Sequence, residues 1–213
     1  MPINTTNAFQ TLSHNSAQTR HLGMCLGAHL QQGDVICLQG ELGAGKTTFV
    51  QGLATGWGSI DAVSSPTFVL VNVYRRVDGA QMFHFDTYRI ESAPEAEELD
   101  LDSMLNSGAL IIEWPERLSS VLPTERLWIN LDYCAEVPDP VLSMESTDNQ
   151  NQELLDFDPA NDIRTINFQP FGERYIELLN ELRGNPGSST GRGSPGSICL
   201  ANRTGRSSIQ DTE

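Results

Sequence analysis

Lysine is almost absent from this chain of 213 residues: Lys46 stands alone beside twelve arginines. Positive charge of any kind is scarce, with 13 basic against 28 acidic side chains and a formal net charge of −15. An acidic surface repels phosphate backbones. The charge therefore argues against unaided binding to nucleic acid, and leaves open work on RNA through a basic partner. Long apolar runs are missing too. No stretch of about 18 apolar residues occurs, so no membrane-spanning helix is expected. The first 33 residues hold no acidic side chain and only Arg20 as a fixed positive charge. No apolar stretch follows a basic start, so a secretory leader is not expected, and an organellar transit peptide would be richer in arginine. The cytoplasm is the expected compartment. Cys25, Cys37, Cys134 and Cys199 are scattered, without a CxxC pair or metal spacing. They read as reduced, mostly buried thiols.

What is present has a regular order. Val35 to Leu38 is a short apolar run entering Gln39-Gly40 and reads as a buried strand. Residues 47–54 read as a helix that Gly56 and Gly58 end. Before it, Thr19 to Leu30 suits an amphipathic helix with Leu22, Leu26 and Leu30 on one face. Phe68 to Tyr74 and Met82 to Tyr88 read as strands, with Asp78-Gly79 as the hairpin signal between them. Pro94 to Asn106 opens with proline and acidic residues, as a helix start does, and Gly108 ends it. Ala109 to Ile112, Leu127 to Tyr133 and residues 164–168 are further strands, and Glu173 to Leu182 is a last helix. Residues 136–163 carry eight acidic side chains and no basic one, and read as a mobile acidic insertion. Residues 184–213, with six glycines and six serines, read as a disordered tail. No internal repeat is present.

The chemistry concentrates at Gly40-Glu41-Leu42-Gly43-Ala44-Gly45-Lys46-Thr47, which matches the phosphate-loop pattern GxxxxGK[ST]. Glycines let main-chain N–H groups converge on phosphate oxygens. The lysine reaches the β- and γ-phosphates, the threonine hydroxyl ligates magnesium, and the next helix points its positive end at the anion. Thr48 follows in the same turn. The loop also sits in its required context, between a buried strand and a helix. The expected fold is therefore α/β: a single P-loop NTPase-like domain over residues 1–183, its mixed central sheet flanked by helices. The expected ligands are ATP and Mg2+. A guanine-reading Asn-Lys-x-Asp motif is impossible, because the sole lysine is already in the loop. A small-molecule kinase, the competing reading, would need arginines. Only Arg75, Arg76 and Arg89 lie between the loop and residue 117.

Magnesium and an attacking water require carboxylates at strand ends near the loop. Asp86 follows Phe83-His84-Phe85, and Glu113 closes Leu110-Ile111-Ile112. The residues leave open whether Glu113 orients or deprotonates water, or holds the metal through water, and a structural role for either carboxylate weighs as much as a catalytic one. Ser64-Ser65-Pro66-Thr67 is either a plain turn, the reading Ser-Pro favours, or a segment whose hydroxyl approaches the γ-phosphate. His84 reads as a packed histidine that could share a face with Asp86. Trp114 reads as packing or a partner contact.

Taken together, Gly43 to Phe49, Ser65-Pro66-Thr67-Phe68, His84-Phe85-Asp86-Thr87-Tyr88-Arg89, Glu98-Leu99 and Glu113 to Leu118 resemble the signature series of the TsaE family. That family is the ATPase component of the bacterial machinery that makes threonylcarbamoyladenosine in tRNA. Order and spacing agree over residues 9–133, and Arg164 to Leu182 is similar to the family's last strand and helix. The resemblance implies that Lys46 and the loop amides bind the ATP phosphates and that Thr47 ligates magnesium. Asp86 and Glu113 would serve metal and water, and Thr67 would belong to a switch-like segment. It implies TsaD and TsaB as partners, with tRNA involved only indirectly; no membrane partner is expected. No obvious finger arginine presents itself, and a supplied arginine is worth about 10³–10⁵ in rate, so weak ATPase activity alone, rising when the partner complex binds, is expected. The remaining alternative is a nucleotide-sensing module that does not hydrolyse. The acidic insertion and the glycine-serine tail depart from the family's compact pattern.

Overall fold

Continuous apolar runs in β2 (Val35–Gln39), β4 (Gln81–Asp86) and β5 (Gly108–Glu113) give the sheet two apolar faces, and both are covered. The computed structural model describes residues 8–66, 69–90, 95–96, 98–134 and 163–184. In chain order the elements are β1 (Phe9–Ser13), α1 (Ser16–Gly27), β2 (Val35–Gln39), α2 (Lys46–Trp57), β3 (Val71–Arg75), β4 (Gln81–Asp86), α3 (Leu101–Leu105), β5 (Gly108–Glu113), β6 (Arg126–Tyr133), β7 (Arg164–Phe171) and α4 (Glu173–Leu182). The seven strands form one mixed sheet in the order β1-β7-β6-β2-β5-β4-β3. β2 pairs parallel with both β5 and β6, and β4 pairs parallel with β5. The outer pairings, β3 with β4, β7 with β6 and β1 with β7, are antiparallel.

Side chains at alternate positions point to opposite faces. Ile36, Leu38, Met82, Ala109, Ile111, Leu127 and Ile129 pack with α1, α2 and α4. Val35, Cys37, Phe83, Phe85, Leu110 and Ile112 pack on the other side with Ile90, Leu101 and Leu118. On the first face the parity of β4 and β5 carries forward to His84, Asp86 and Glu113. The apolar face thus turns polar at the carboxyl ends of the strands, which is where α2 begins.

α1 and α2 lie against each other at backbone distance. A Cβ on Gly23 would meet the Phe49 carbonyl oxygen at 2.2 Å, and one on Gly52 would meet that of Arg20 at 1.9 Å. Gly27 and Gly56 are equally close to Leu53 and Met24. Gly56 therefore does not end the helix as expected. It lies inside α2, and Gly58, at φ +90°, is the C-cap.

Other boundaries shift for local reasons. α1 starts at Ser16 because the Asn15 side chain accepts the Gln18 N–H at 2.9 Å, and it stops at Gly27, short of Leu30. The expected helix from Pro94 to Asn106 is not continuous. Asp100 caps a separate short helix by accepting from Ser103 N–H, and Gly108 opens β5 rather than ending a helix. The strand expected over Met82 to Tyr88 closes at Asp86, whose carboxylate accepts the Tyr88 N–H at 3.2 Å and starts a 3-10 turn. The Asp78-Gly79 hairpin forms as expected, with Gly79 at φ +86°. β1 was not anticipated, and β7 runs beyond residue 168 to Phe171. Cys37 is a buried free thiol, as expected. Cys25, expected reduced, is disulfide-bonded. The acidic stretch 136–163, save Ile163, and the tail, save Gly184, lie outside the described residues. Among the described residues no helix is long and apolar enough to cross a membrane.

Candidate functional site: a phosphate loop facing two strand-end carboxylates

β2 ends at Gln39, and the chain turns through Gly40, Gly43 and Gly45, all at positive φ (146°, 82° and 102°), before α2 starts at Lys46. Three left-handed positions within six residues would strain any side chain bearing a Cβ. The Ala44 N–H donates to the Glu41 carbonyl inside the turn. The Leu42 side chain is 84% exposed, so this residue contributes backbone only. Tyr133 closes over the loop at Gly43, where a Cβ would meet its hydroxyl at 2.8 Å. Thr48 is half-buried in the first turn of α2.

The Lys46 side chain folds back along the loop. Its Nζ donates to the carbonyls of Gly40 at 2.8 Å and Glu41 at 3.0 Å, and lies 3.9 Å from the centre of the Trp114 ring. Burial pushes its pKa down, opposed by the carboxylates of Glu113, Asp86 and Glu116. The Thr47 hydroxyl donates to Glu113 Oε1 at 3.0 Å. Asp86 sits directly beside Glu113 in the β4–β5 register, and both are buried, at 8% and 3% exposure. Lys46, Thr47, Asp86 and Glu113 are therefore brought together from three elements. Thr67 lies outside the described residues.

Several neighbours were not singled out as site residues by sequence reasoning. His84 is fully buried, and its Nε2 lies 2.9 Å from Glu113 Oε1. The Tyr74 hydroxyl is 3.3 Å from His84 Nδ1 and donates to the Ser64 carbonyl at 2.9 Å. The Thr87 hydroxyl lies 2.8 Å and 2.7 Å from the carbonyls of Glu113 and Trp114, and holds the bend after β5. At that bend Trp114 takes φ +61°, a costly conformation for an aromatic residue and a frequent mark of function. Its ring meets Tyr88 at 5.2 Å. The one available signal was the alternation Phe83-His84-Phe85-Asp86, which does put His84 and Asp86 on one face. A cavity of about 610 Å³ opens beside the loop, lined by Gln39, Glu41, Trp114, Glu116, Asn130 and Asp132 among others.

The donor set fits a magnesium nucleotide. Hydroxyl and carboxylate oxygens are hard ligands, and magnesium characteristically takes one or two carboxylates plus substrate phosphates rather than an all-protein cage. Among the described residues no group of three or more His, Cys, Asp or Glu could hold an ion alone. The start of a twelve-residue helix supplies main-chain donors for an anion.

Comparison with known proteins bears on the family and the fold. Residues 13–137 match the family model described as threonylcarbamoyl adenosine biosynthesis protein TsaE. The tRNA threonylcarbamoyladenosine biosynthesis protein TsaE of Bacillus subtilis is 34% identical over 170 residues, covering 79% of this chain and 89% of that protein. Its namesake in Streptomyces coelicolor is 43% identical over 115 residues, covering 53% and 78%. The crystal structure of Bacillus subtilis YdiB superposes with a TM-score of 0.59 at 28% identity, over 82% of this chain and 93% of that one. The family-model match over more than half of the chain, with the 34% identity to the Bacillus subtilis protein, establishes that this chain belongs to the TsaE family, with its P-loop NTPase-like fold and its role in tRNA threonylcarbamoyladenosine biosynthesis.

Proposed function

We propose that this chain binds ATP with magnesium and hydrolyses it, and that it acts on a TsaB–TsaD partner pair rather than on tRNA directly. The observation that carries the reading is the contact of Glu113 with Thr47 at 3.0 Å, one residue from the loop lysine. It sets a carboxylate beside the hydroxyl that a phosphate loop uses for its metal.

The chain's own groups divide the work. The amides of Gly43 to Thr47 and the Lys46 ammonium grip the triphosphate and neutralise charge on its outer oxygens. Thr47, Asp86 and Glu113 would hold magnesium, which when bound draws electron density from the terminal phosphate. Glu113 is also placed to orient a water or take its proton. Trp114 screens the ammonium from bulk solvent. Thr67 belongs, in this reading, to a segment that responds to the terminal phosphate. No obvious finger arginine presents itself in the sequence: of the three between the loop and residue 117, Arg75 and Arg76 pair with Asp61 and Asp78. An arginine supplied to a phosphate loop is worth about 10³–10⁵ in rate. Slow turnover by the isolated chain and a marked rise on adding the partner pair follow from that. The formal net charge of −15 supports a role beside tRNA rather than on it. The cytoplasm is the matching compartment.

Two substitutions test the reading. Glu113→Gln should keep ATP affinity, measured by calorimetry, within a few-fold while turnover falls by about 10²-fold or more. Lys46→Ala should lose affinity itself. Equal binding by Lys46→Ala and the unmutated chain would sink the proposal. So would fast turnover by the isolated chain that TsaB and TsaD leave unchanged. A phosphorylated product other than inorganic phosphate would instead favour a kinase.

A further inference from the structure

We propose that His84 is a positioning residue for Glu113, and that the Tyr74 hydroxyl ties this pair to the Ser64–Pro66 segment. The seat of the carboxylate then depends on where that segment lies. The inference deepens the reading of Glu113 given above and rests on it.

His84 is an imidazole with no exposed surface, set between Phe83 and Phe85 on a central strand. A polar ring in that position needs both nitrogens satisfied. Nε2 meets Glu113 Oε1 at 2.9 Å, the same oxygen that accepts from Thr47. Nδ1 meets the Tyr74 hydroxyl at 3.3 Å. In a neutral imidazole one nitrogen donates and the other accepts. In that form, when Nε2 donates to Glu113, Nδ1 is the acceptor left for Tyr74. Yet the Tyr74 hydroxyl has one proton and a second acceptor, the Ser64 carbonyl at 2.9 Å. Asn72 holds the same corner, its Nδ2 donating to the Ser64 carbonyl at 3.1 Å and lying 3.3 Å from the Tyr74 oxygen.

One proton serving two acceptors makes the arrangement responsive. With the Ser64 carbonyl close, the Tyr74 proton is drawn towards it and His84 Nδ1 loses its donor. With the segment withdrawn, the proton turns to Nδ1, the Nε2-protonated tautomer is fixed, and the ring holds Glu113 firmly. Burial keeps the Tyr74 hydroxyl protonated by pushing its pKa up. The segment 64–66 leads directly into Thr67. A movement there on nucleotide or partner binding would reach Glu113 through three side-chain and main-chain contacts.

Two isosteres separate positioning from packing. Glutamine at position 84 can place an amide N–H near the Nε2 site and restore the bond to Glu113. Asparagine reaches only the Nδ1 site and keeps the Tyr74 side. His84→Asn should lower kcat by about 10-fold to 100-fold, the range for removing a partner that orients a metal-site ligand. ATP affinity should stay within about twofold, and His84→Gln should recover most of the loss. Tyr74→Phe removes only a hydroxyl. It should lower kcat less and speed amide hydrogen exchange over residues 62–66. Equal kcat losses in both His84 variants, matched by equal drops in melting temperature, would reduce His84 to packing and overturn the proposal. Unchanged kcat in His84→Asn would overturn it as well. The imidazole ¹⁵N spectrum of the nucleotide-free chain decides the point apart from any ATPase activity. Glu113→Gln should shift the Nε2 signal of His84, and Tyr74→Phe its Nδ1 signal. Ring signals indifferent to both changes would end the idea even in a chain that hydrolyses ATP. A chain that hydrolyses none would defeat the functional reading and leave this spectrum to judge the contacts.

Discussion

Lys46 is where the chemistry can be checked one atom at a time. Its ammonium donates to two loop carbonyls and lies over the face of Trp114, so bound phosphate oxygens would compete with the carbonyls for its protons. Burial lowers its pKa, so its neutral, nucleophilic amine appears at a lower pH than that of a free lysine. Because it is the sole lysine, an amine-reactive reagent reports on this site with no lysine background. Labelling of Lys46 should rise with pH earlier than for a model peptide, and saturating Mg-ATP should suppress it, as peptide mass spectrometry would show. Labelling that persists at saturating nucleotide would contradict the phosphate role. Lys46 and Thr47 were legible from sequence because the loop places them by contiguous spacing alone. Asp86 and Glu113 were legible as residues closing apolar strands. That they are neighbours was not, since it depends on the parallel register of β4 and β5. For the same reason His84 read only as packed. Its burial is real, but its bond to Glu113 crosses two strands, and no local pattern announces such a contact.

At the scale of elements, the phosphate loop is positioned by the helix that follows it, and that helix is held by backbone contact with α1. Gly23 and Gly27 on one helix, and Gly52 and Gly56 on the other, allow the approach. A sequence pattern cannot distinguish a glycine that stops a helix from one that admits a neighbour, and this is why Gly56 misled. The continuous helix expected from Pro94 failed for a related reason. Asp100 serves as a cap as readily as it decorates a helix, and capping prevailed. β1 is a five-residue edge strand whose partner, β7, lies far along the chain, so its alternation carried too little signal. The glycine contact has a measurable consequence. In Gly52→Ala the new methyl would fall 1.9 Å from the Arg20 carbonyl oxygen, a backbone atom that can yield only if one whole helix shifts. The expected cost is about 1–3 kcal/mol or more, the range for overpacking a filled interface. It is readable as a lower urea midpoint, with ATP affinity falling as the start of α2 moves. Gln51→Ala, on the neighbouring half-buried position, serves as the control. A Gly52→Ala chain as stable as the parent would mean the helices are not in backbone contact.

For the whole molecule, the parallel core β6-β2-β5-β4 decides where the candidate site sits, because its carboxyl ends share one edge and the loop, Asp86 and Glu113 all lie there. The alternating and continuous apolar runs made most of this core legible. The strand order was not, since nothing local dictates that β6 pairs with β2. The same core fixes the response to alkaline pH. Cys37 lies in the middle of β2, and burial pushes its thiol from 9.0 up to about 12, with Glu116 adding to the rise and Arg126 opposing it. Tyr175 anchors α4 by accepting the Val35 N–H at 2.6 Å, and burial raises its pKa as well. A raised folded-state value means that the native chain keeps a proton which the unfolded chain releases. The stabilising contribution of Cys37 is therefore complete below pH 9. It declines as pH climbs from about 9 to about 12, because unfolding then sheds a proton. Urea midpoints taken between pH 8 and pH 11 should stay level at first and then fall. Cys37→Ala should start from a lower midpoint, because a buried sulfur is lost, but should decline less steeply. Tyrosines titrate in both chains, so the difference between the two slopes isolates the thiol. Parallel declines would show that Cys37 ionises in the folded protein as freely as in the unfolded one, and that the centre of the sheet is open to water.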